Sequence, residues 1–458
     1  MALLSNQMRG SKGAVCAFDS IMCAGSQIMQ RKGRSAGSFR PPMNINAASK
    51  SLRGEQLIRE AVLKTFCDPL PPECSRLLNL SERKWKALLH WLDISGLALY
   101  FLNQLIDLEL CDLLPSAVFT RLYLNLIDNS ERTRGMIGES IAIQQEFQHA
   151  DLWYANLKGL SLWPSSVPKP ELRSQFDLDF LVGEQSASEA RRILERRGYR
   201  LYAISGRSWE FKRNERPGIS LKHLYKNLAS YSVELHIERG DGTQLERLEI
   251  RDLYGMKMPV LSPVDLLLGQ GLHAFKHICG EFSRAAHLLE FRRHVIARRD
   301  DHAFWCELQV AAKENSRASI GLGVVTLLIT HVIGDFAPEA LTNWTVDALS
   351  EPLRLWVETY GHRIVFASYP GSKLYLLLQQ ELESSGIQGK RPIRNSLLPF
   401  RLPPPVIRAF PKEALPVRIR RYCMQLELIL ARLRFHVVEG IRFKLESRRW
   451  RHTKALAQ

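Results

Sequence analysis

The sequence predicts an α+β protein in which a small mixed sheet lies between an N-terminal and a C-terminal helical region. Two observations support this fold class. Up to about Ala150, and again after Ser262, apolar residues recur at three- and four-residue spacing, which is typical of helices that bury one face. Between Asp151 and Val260, short apolar runs are separated by turn residues, which is typical of strands.

Length and composition are those of an ordinary globular protein. The chain has 458 residues, of which 45% are hydrophobic and 24% are charged. This length allows two or three packed units, or one core with large helical additions. We predict five regions: a disordered basic N-terminus at 1–52, a helical region at 53–150, the sheet core at 151–260, a helical region at 261–384, and a Pro/Arg-rich connector with a basic amphipathic helix at 385–458.

Positive charge is concentrated at the two ends of the chain. The net charge is +16; residues 1–50 hold seven Lys/Arg and one acid, and residues 415–458 hold eleven Lys/Arg and three Glu. Such ends could bind a nucleic acid or an anionic membrane surface. The middle of the chain is nearly neutral, which favours a small-molecule or protein substrate instead. The acid-poor N-terminus is also compatible with an organelle transit peptide.

Two classes of protein are disfavoured by the sequence. The longest apolar stretch, from Ile320 to Gly334, is shorter than the roughly 18–20 residues that a membrane span needs. The eight cysteines form neither a C-x-x-C pair nor a zinc spacing with histidine. We therefore expect reduced thiols in a cytoplasmic protein without a transmembrane segment.

The N-terminal helical region is predicted to be a bundle of about four helices. The segments LIREAVLKTF, WKALLHWLDISGLALYFLNQL and TRLYLNLIDN each show helical spacing of apolar residues. Ser81 precedes the second segment in the position of an N-cap residue.

The central region is predicted to contain a sheet with at least one helix packed on it. LWYANLKG is predicted to be a strand that enters a tight turn, and FDLDFLV, YRLYAI, SWEFKR and SVELHIE are predicted to be strands. PGISLKHLYKN could be a strand or a loop. Ser186 and Glu189 are spaced as a capping box before the helical segment EARRILERRG.

The remaining chain is predicted to be mainly helical. Ser262, Pro263 and Asp265 form an N-terminal helix signature, and helical spacing continues to about Ser384. The last predicted helix spans Val417 to Ala457. Its expected packing face carries Leu426, Ile429, Leu430, Leu433 and Val437.

The residues with the clearest chemical pattern are acids on two predicted strands. Asp177 and Asp179 alternate along FDLDFLV, and Glu234 and His236 alternate along SVELHIE, so each pair projects from one face of its strand. If the strands are neighbours, three carboxylates converge and repel one another unless a cation compensates. Oxygen ligands favour Mg²⁺ or Mn²⁺, which can assist an in-line phosphoryl displacement.

Positively charged residues around these strands could bind phosphate. Lys158 and Gly159 form the turn after the first predicted strand, where a glycine allows close approach of the backbone to an oxyanion. Lys158 and Arg173 add charge complementarity to a triphosphate. His236 is either a general base or a residue that orients the carboxylates.

The ordered string LKG…R…DLDFLV…GY…VELH resembles the uncharacterised nucleotidyltransferase family, a branch of the DNA polymerase β-like superfamily. LSPVDLLLGQGLHAFKH is similar to the helix that usually follows in this family. The resemblance covers about residues 80–350, with its specific motifs within 157–277. It implies a nucleotidyltransferase core whose metal-binding and catalytic acids are Asp177, Asp179 and Glu234, the last of which would help to deprotonate the acceptor.

The resemblance also implies a reaction and its reactants. An NTP would donate a nucleotidyl group, with Mg²⁺ or Mn²⁺ as cofactor, to a hydroxyl or amine of a small molecule, a peptide or protein, or an RNA. Gly159 stands in place of the superfamily's Gly-Ser turn, and Ser161 is the nearest hydroxyl. Two alternatives stay open: an inactive partner protein with the same fold, and a nucleic-acid-binding protein that acts through its basic ends.

Histidines of the later helices form two further groups. His273, Lys276, His277 and Glu281 share one predicted helical face, which could hold a second metal or simply line the cleft. We expect Lys276 or His277 to contact substrate phosphate. His287, His294 and His302, in and around the arginine-rich segment EFRRHVIARR, are predicted to lie on a solvated surface.

Overall fold

A computed structural model describes most of the chain, and contacts between residues divide the chain into two units, Met1–Ser51 and Leu52–Gln458. The predicted disordered N-terminus lies almost wholly outside the described residues. These residues are 45–213, 224–226, 231–238, 244–313, 315, 317–387, 392–397 and 414–457.

Four helices precede the sheet, as the apolar spacing predicts. They are α1 (Ile45–Lys64), α2 (Glu82–Ser95), α3 (Ala98–Asp107) and α4 (Ser116–His149). Helices α2 and α3 together cover the segment WKALLHWLDISGLALYFLNQL, which the sequence predicts to be helical. Gly96 separates them with a φ of +77°, a left-handed conformation that glycine adopts without steric cost.

A mixed sheet of seven strands follows. The strands are β1 (Tyr154–Leu157), β2 (Asp177–Gly183), β3 (Arg200–Ser205), β4 (Ser208–Lys212), β5 (Ser232–Glu238), β6 (Leu248–Leu253) and β7 (Met256–Leu261). Their order across the sheet is β3-β4-β5-β2-β1-β7-β6. The β2–β5 and β1–β7 pairs are parallel, and the other four pairs are antiparallel. Helix α5 (Ala187–Arg196) connects β2 to β3. The α+β prediction is confirmed.

The predicted strands that contain β1 to β5 are all present, but two features of this region differ from expectation. The hairpin of β6 and β7 is absent from the sequence-based prediction. The capping box at Ser186 is wrong, because Ser186 is helical in conformation and makes no side-chain bond to the helix start. A 3₁₀ turn over Glu184–Ser186 leads into α5 instead. Most of PGISLKHLYKN lies outside the described residues.

The C-terminal part is helical, as predicted. Ser262 caps α6, since its hydroxyl accepts a hydrogen bond from the backbone N–H of Asp265 at 3.1 Å. Ser81 also lies at an N-cap position but makes no such bond. The helices are α6 (Pro263–Ile278), α7 (Ala285–Ala297), α8 (His302–Lys313), α9 (Ala318–Val332), α10 (Glu339–Thr342), α11 (Glu351–Val365), α12 (Tyr375–Ser384), α13 (Ile393–Leu397) and α14 (Leu415–Ala457).

Two large hydrophobic cores, and a third small cluster around Leu181 and Leu261, hold the described layers together. The larger core combines the N-terminal helices with α6 to α12, so that the two helical regions pack on each other. The smaller core lies between the sheet, α5 and the second half of α4. Helix α4 contributes Leu122 to the first core and Phe147 to the second. It therefore connects the helical body rigidly to the sheet.

The final helix packs through a different face from the predicted one. The predicted apolar positions include Leu426, Leu430, Leu433 and Val437, which are each about half exposed. The buried positions are Phe435, His436, Glu439, Phe443, Glu446 and Trp450. The correction has a physical reason: the aromatic rings fill the core, and the two acids are paired with arginines. In the described part of the chain, no helix is both long and apolar enough to cross a membrane.

Candidate functional site

The acids of the predicted site lie on two parallel, adjacent strands. In the pairing of β2 with β5, Asp179 is opposite Glu234 and Asp177 is opposite Ser232. The alternate residues on the other face are buried in the smaller core: Leu178, Phe180, Val233 and Leu235. The alternation of the sequence therefore directs the apolar residues inward and leaves the acids together on the opposite face.

His236 connects two of the carboxylates. Its Nε2 atom lies 3.0 Å from Asp179 Oδ1 and 3.5 Å from Glu234 Oε2. Ser208, on the neighbouring strand β4, donates a hydrogen bond to the other oxygen of Glu234. One ligand atom each from Asp179, Glu234 and His236 lie within 4.8 Å of one another, as a metal-binding group would.

Hydrogen bonding changes the proton affinities of this group. The hydrogen bond with His236 holds the pKa of Glu234 far below its ordinary value, and the bond from Ser208 acts in the same direction. Burial alone would lower the pKa of His236, but its bonds to Asp179 and Glu234 raise it above 6.5. Glu234 is therefore ionised at neutral pH and is a weak base.

Asp177 lies at the edge of this cluster. Its side chain is exposed, yet the surrounding protein removes part of its hydration, and this loss together with the Asp179 carboxylate raises its pKa. The charges of Arg173 and Lys158 act in the opposite direction. The structure thus brings together Asp179, Glu234 and His236 most closely, with Asp177 beside them.

Lys158 enters the cluster from the turn after β1. Strand β1 pairs with β2 and places Leu157 opposite Asp179. Lys158 Nζ lies 2.9 Å from Asp179 Oδ1 and 3.4 Å from His236 Nε2. Desolvation would lower the pKa of Lys158, but attraction to Asp179 outweighs it and raises the pKa. The predicted phosphate ligand is paired with a carboxylate in this structure.

The Lys158–Gly159 turn has an unusual backbone that fixes this lysine. Lys158 and Gly159 have φ values of +48° and +41°. A Cβ atom at Gly159 would lie 2.7 Å from Gln175 Oε1, so a side chain there would force Gln175 to move. Ser161 is fully buried, and its hydroxyl donates to the Lys158 carbonyl at 2.7 Å. Ser161 therefore stabilises the turn rather than presenting a free hydroxyl.

Arg173 is anchored by residues that sequence reasoning missed. Its Nε atom lies 3.1 Å from Glu290 Oε1 on α7, and its Nη1 donates to Gln175 at 3.1 Å. Glu290 is buried and also accepts a hydrogen bond from the Tyr100 hydroxyl at 2.8 Å. The Arg173 charge is close enough to Asp177 to oppose protonation of that acid. No motif in the sequence identifies Glu290 or Tyr100 as its partners.

The predicted group on α6 is only partly assembled. His273 and His277 pack against His287 of α7, with ring centroids 4.7–4.8 Å apart. Lys276 is exposed, and Glu281 forms an ion pair with Arg432 at 2.9 Å. A common face for all four residues is therefore wrong: the histidines turn toward α7, and the lysine and the acid do not join them.

The solvated-surface prediction for the later histidines is correct only for His302, which is exposed. His294 is buried, and its Nδ1 atom lies 2.7 Å from Gln270 Oε1. The His287 side chain is 10% exposed, and its Nδ1 lies 3.6 Å from Glu290 Oε2. The arginines around these histidines favour a solvent-exposed helix in the sequence-based prediction, but α7 is packed in the helical core.

A mixed sheet with acids on two adjacent strands and helices packed on it is compatible with the nucleotidyltransferase class. A model of the family described as "Uncharacterised nucleotidyltransferase" matches residues 81–331. The chain belongs to this family, and its resemblance to it is confirmed.

Comparisons with curated proteins and with solved structures provide less information about the function. None of the curated proteins matches the chain. The crystal structure of an antigenic nucleotidyltransferase-like protein from Paracoccidioides brasiliensis is similar at 12% sequence identity, over 47% of this chain and 98% of that one. Its TM-score is 0.28.

Proposed function

We propose that the protein transfers a nucleotidyl group from an NTP to a hydroxyl or amine acceptor, with Mg²⁺ or Mn²⁺ held by Asp177, Asp179 and Glu234. The observation that supports this proposal is the parallel pairing of β2 with β5, which sets Asp179 directly opposite Glu234. Membership of the nucleotidyltransferase family supports the same class of reaction.

The donor set suits such a cation. Two carboxylates and one imidazole have ligand atoms within 4.8 Å of one another, and Asp177 adds a third, exposed carboxylate beside them. Lys158 supplies one compensating charge through its contact with Asp179, while Arg173 is already paired with Glu290. The group therefore keeps an excess of negative charge, which a divalent cation would relieve.

The chain's own residues would bind and orient the reactants. In the transfer, the acceptor oxygen or nitrogen forms a bond to the α-phosphorus, the bond from that phosphorus to the bridging oxygen breaks, and pyrophosphate leaves with the electron pair. A bound divalent ion would supply charge stabilisation for the phosphates and for the attacking atom. Arg173, held rigidly by Glu290, would offer its remaining guanidinium edge to the phosphates.

Lys158 and His236 would have linked roles. The Lys158 ammonium neutralises Asp179 in the structure, and Lys158 would leave this acid where Asp179 holds a divalent ion. It would then be free to contact a phosphate oxygen, as the sequence predicts. His236, bonded to Asp179 and Glu234, would hold the carboxylates in place, and its raised pKa lets it carry the acceptor's proton. Lys276 and His277 remain proposed contacts to the nucleotide.

One observation favours a second candidate, a catalytically inactive partner protein. Because Lys158 Nζ contacts Asp179 at 2.9 Å, the lysine already neutralises part of the negative charge of the carboxylate cluster. If that ion pair is permanent, the fold can persist without a divalent cation.

The test begins with calorimetric titration of each NTP, with Mg²⁺, into the wild type. Asp177→Asn and Asp179→Asn are the test variants, and Asp300→Asn, an exposed acid after α7, is the matched control. The NTP that binds is then supplied with label at either the α- or the γ-phosphate, together with pools of small molecules, peptides or RNA.

The proposal predicts metal-dependent binding that both site variants lose and the control keeps. It also predicts transfer of the α-label, but not of the γ-label, to an acceptor. Absence of NTP binding by a folded wild type would support the partner-protein candidate instead. Transfer of the γ-label would identify a phosphotransferase and refute nucleotidyl transfer.

A further inference from the structure

Three histidines form a compact group outside the carboxylate cluster. His273 and His277 lie one turn apart on α6, and His287 reaches them from α7. One ring nitrogen from each lies within 4.8 Å of the others. The three ring centroids are mutually separated by 4.7–4.8 Å, so the rings surround a common point rather than forming a linear stack.

The surroundings orient one of these rings as a ligand. The Nδ1 atom of His287 faces the buried carboxylate of Glu290 at 3.6 Å, which leaves its Nε2 for a cation. A carboxylate behind a ligating histidine fixes the ring's tautomer and strengthens it as a donor. Glu290 is itself held by Arg173 and Tyr100, which fixes the position of the carboxylate that His287 faces.

We infer that His273, His277 and His287 form a binding site for a zinc-type transition metal ion, distinct from the carboxylate cluster. Three imidazole nitrogens on two helices are the ligand set of a tetrahedral ion with one open position. Zinc bonds of about 2.1 Å would bring the nitrogens to about 3.4 Å from one another, a change that ring rotation can supply. Imidazole-only ligation excludes Mg²⁺ as the preferred ion.

Positive charges also lie near the histidines: Lys158 acts on His273, and Arg284 acts on His277 and His287. A histidine binds a metal ion in its neutral form. Arg173 is also nearby, but Glu290 compensates its charge through their ion pair.

The inference shares only His277 with the proposed function, where it is a nucleotide contact, and it is tested on the full-length, untagged protein after removal of metals with a chelator. Co²⁺ is added as a spectroscopic probe, because a four-coordinate Co²⁺ site absorbs visible light strongly. Zn²⁺ affinity is measured by calorimetry. The test variants are His273→Gln and His277→Gln, both half-buried on α6, and circular dichroism confirms their folding. His302→Gln, an exposed histidine at the start of α8, is the matched control, and Asp179→Asn reports on the carboxylate cluster.

We expect one Co²⁺ or Zn²⁺ per chain, with affinity at least tenfold weaker in either histidine variant. Binding should be unchanged in His302→Gln and in Asp179→Asn. Failure of the folded wild type to bind Co²⁺ or Zn²⁺ overturns the inference. So does binding that Asp179→Asn abolishes and both histidine variants keep. Titration of Mg²⁺ and NTP on the same samples tests the proposed function separately, so each can fail without the other.

Discussion

The buried ion pair between Arg173 and Glu290 should be the most sensitive electrostatic contact beneath the candidate site. The Glu290 side chain is 4% exposed, and it accepts hydrogen bonds from Arg173 at 3.1 Å and from Tyr100 at 2.8 Å. Glu290→Gln keeps the shape and an accepting oxygen but removes the charge. Arg173 would then remain largely buried without its ion-pair partner.

The expected destabilisation is about 3 kcal/mol. Breaking a buried ion pair by removing one charge costs roughly 3–5 kcal/mol, because the remaining charge stays desolvated. The shift in the pKa of Glu290 gives a destabilisation of similar magnitude. Burial would raise the pKa of Glu290, but Arg173 and the bonded histidine outweigh it and lower the pKa from 4.5 to about 2, which corresponds to about 3 kcal/mol of stability at neutral pH.

Urea unfolding followed by tryptophan fluorescence measures this loss, because Trp91, Trp305 and Trp356 are buried in the helical core. Glu307→Gln, an exposed acid on α8, is the control and should change stability by less than about 0.5 kcal/mol. A loss below about 1 kcal/mol in Glu290→Gln would refute the reasoning, since it would mean that Arg173 finds solvent or another partner.

The pH dependence gives an independent check on the same pair. The pKa of Glu290 is lowered in the folded protein, so its charge stabilises the fold above the ordinary value of 4.5. This contribution is lost as the pH falls from about 4.5 through about 2. The stability difference between wild type and Glu290→Gln should therefore be constant from pH 7 to about 5 and should shrink below that.

Three further substitutions test the turn, a helix cap and the lysine of the site. Gly159→Ala should lower the free energy of unfolding by about 1–3 kcal/mol, because the φ of Gly159 is +41° and the new Cβ would lie 2.7 Å from a glutamine oxygen. Gly138→Ala, on an open helix face, is the control and should raise the free energy of unfolding by about 0.5–1 kcal/mol in the same denaturation assay. Ser262→Ala should cost about 1 kcal/mol and Ser81→Ala almost nothing, since only the first makes a capping bond; equal thermal shifts would contradict this. Lys158→Met should bind Mn²⁺ about tenfold more tightly, as measured by electron paramagnetic resonance, because a competing positive charge is removed; unchanged or weaker binding would argue against a cation beside Asp179.

Sequence patterns predicted the part of the site that depends on strand geometry. Alternation along FDLDFLV and SVELHIE placed the acids of each strand on one face of that strand, and the structure shows that the two strands are neighbours. The same patterns could not place Lys158, because its position depends on two successive positive φ values after β1. The Lys-Gly dipeptide alone does not show whether the lysine side chain points to solvent or to an acid.

Local sequence patterns do not predict which distant segments of the chain pair with each other. Strands β6 and β7 were missed because LEIRDL and MKMPVL carry charges and a proline, which weaken strand alternation. Glu290 was missed for a related reason, since it stands among arginines in a helix that composition alone makes look solvated. Its burial is a property of the packing of α7 against α3 and Arg173.

These contacts give the candidate site a layered construction. Two strands present the acids, and the turn after β1 brings Lys158 to them. Behind this layer, Arg173 extends from the segment before β2 to Glu290, and Glu290 in turn faces His287 in the histidine cluster. One buried carboxylate, Glu290, therefore stands between the two clusters. Because Arg173 and Tyr100 both bond to it, Glu290 has little freedom to rotate, and it should keep facing His287 when the charge of the carboxylate cluster changes.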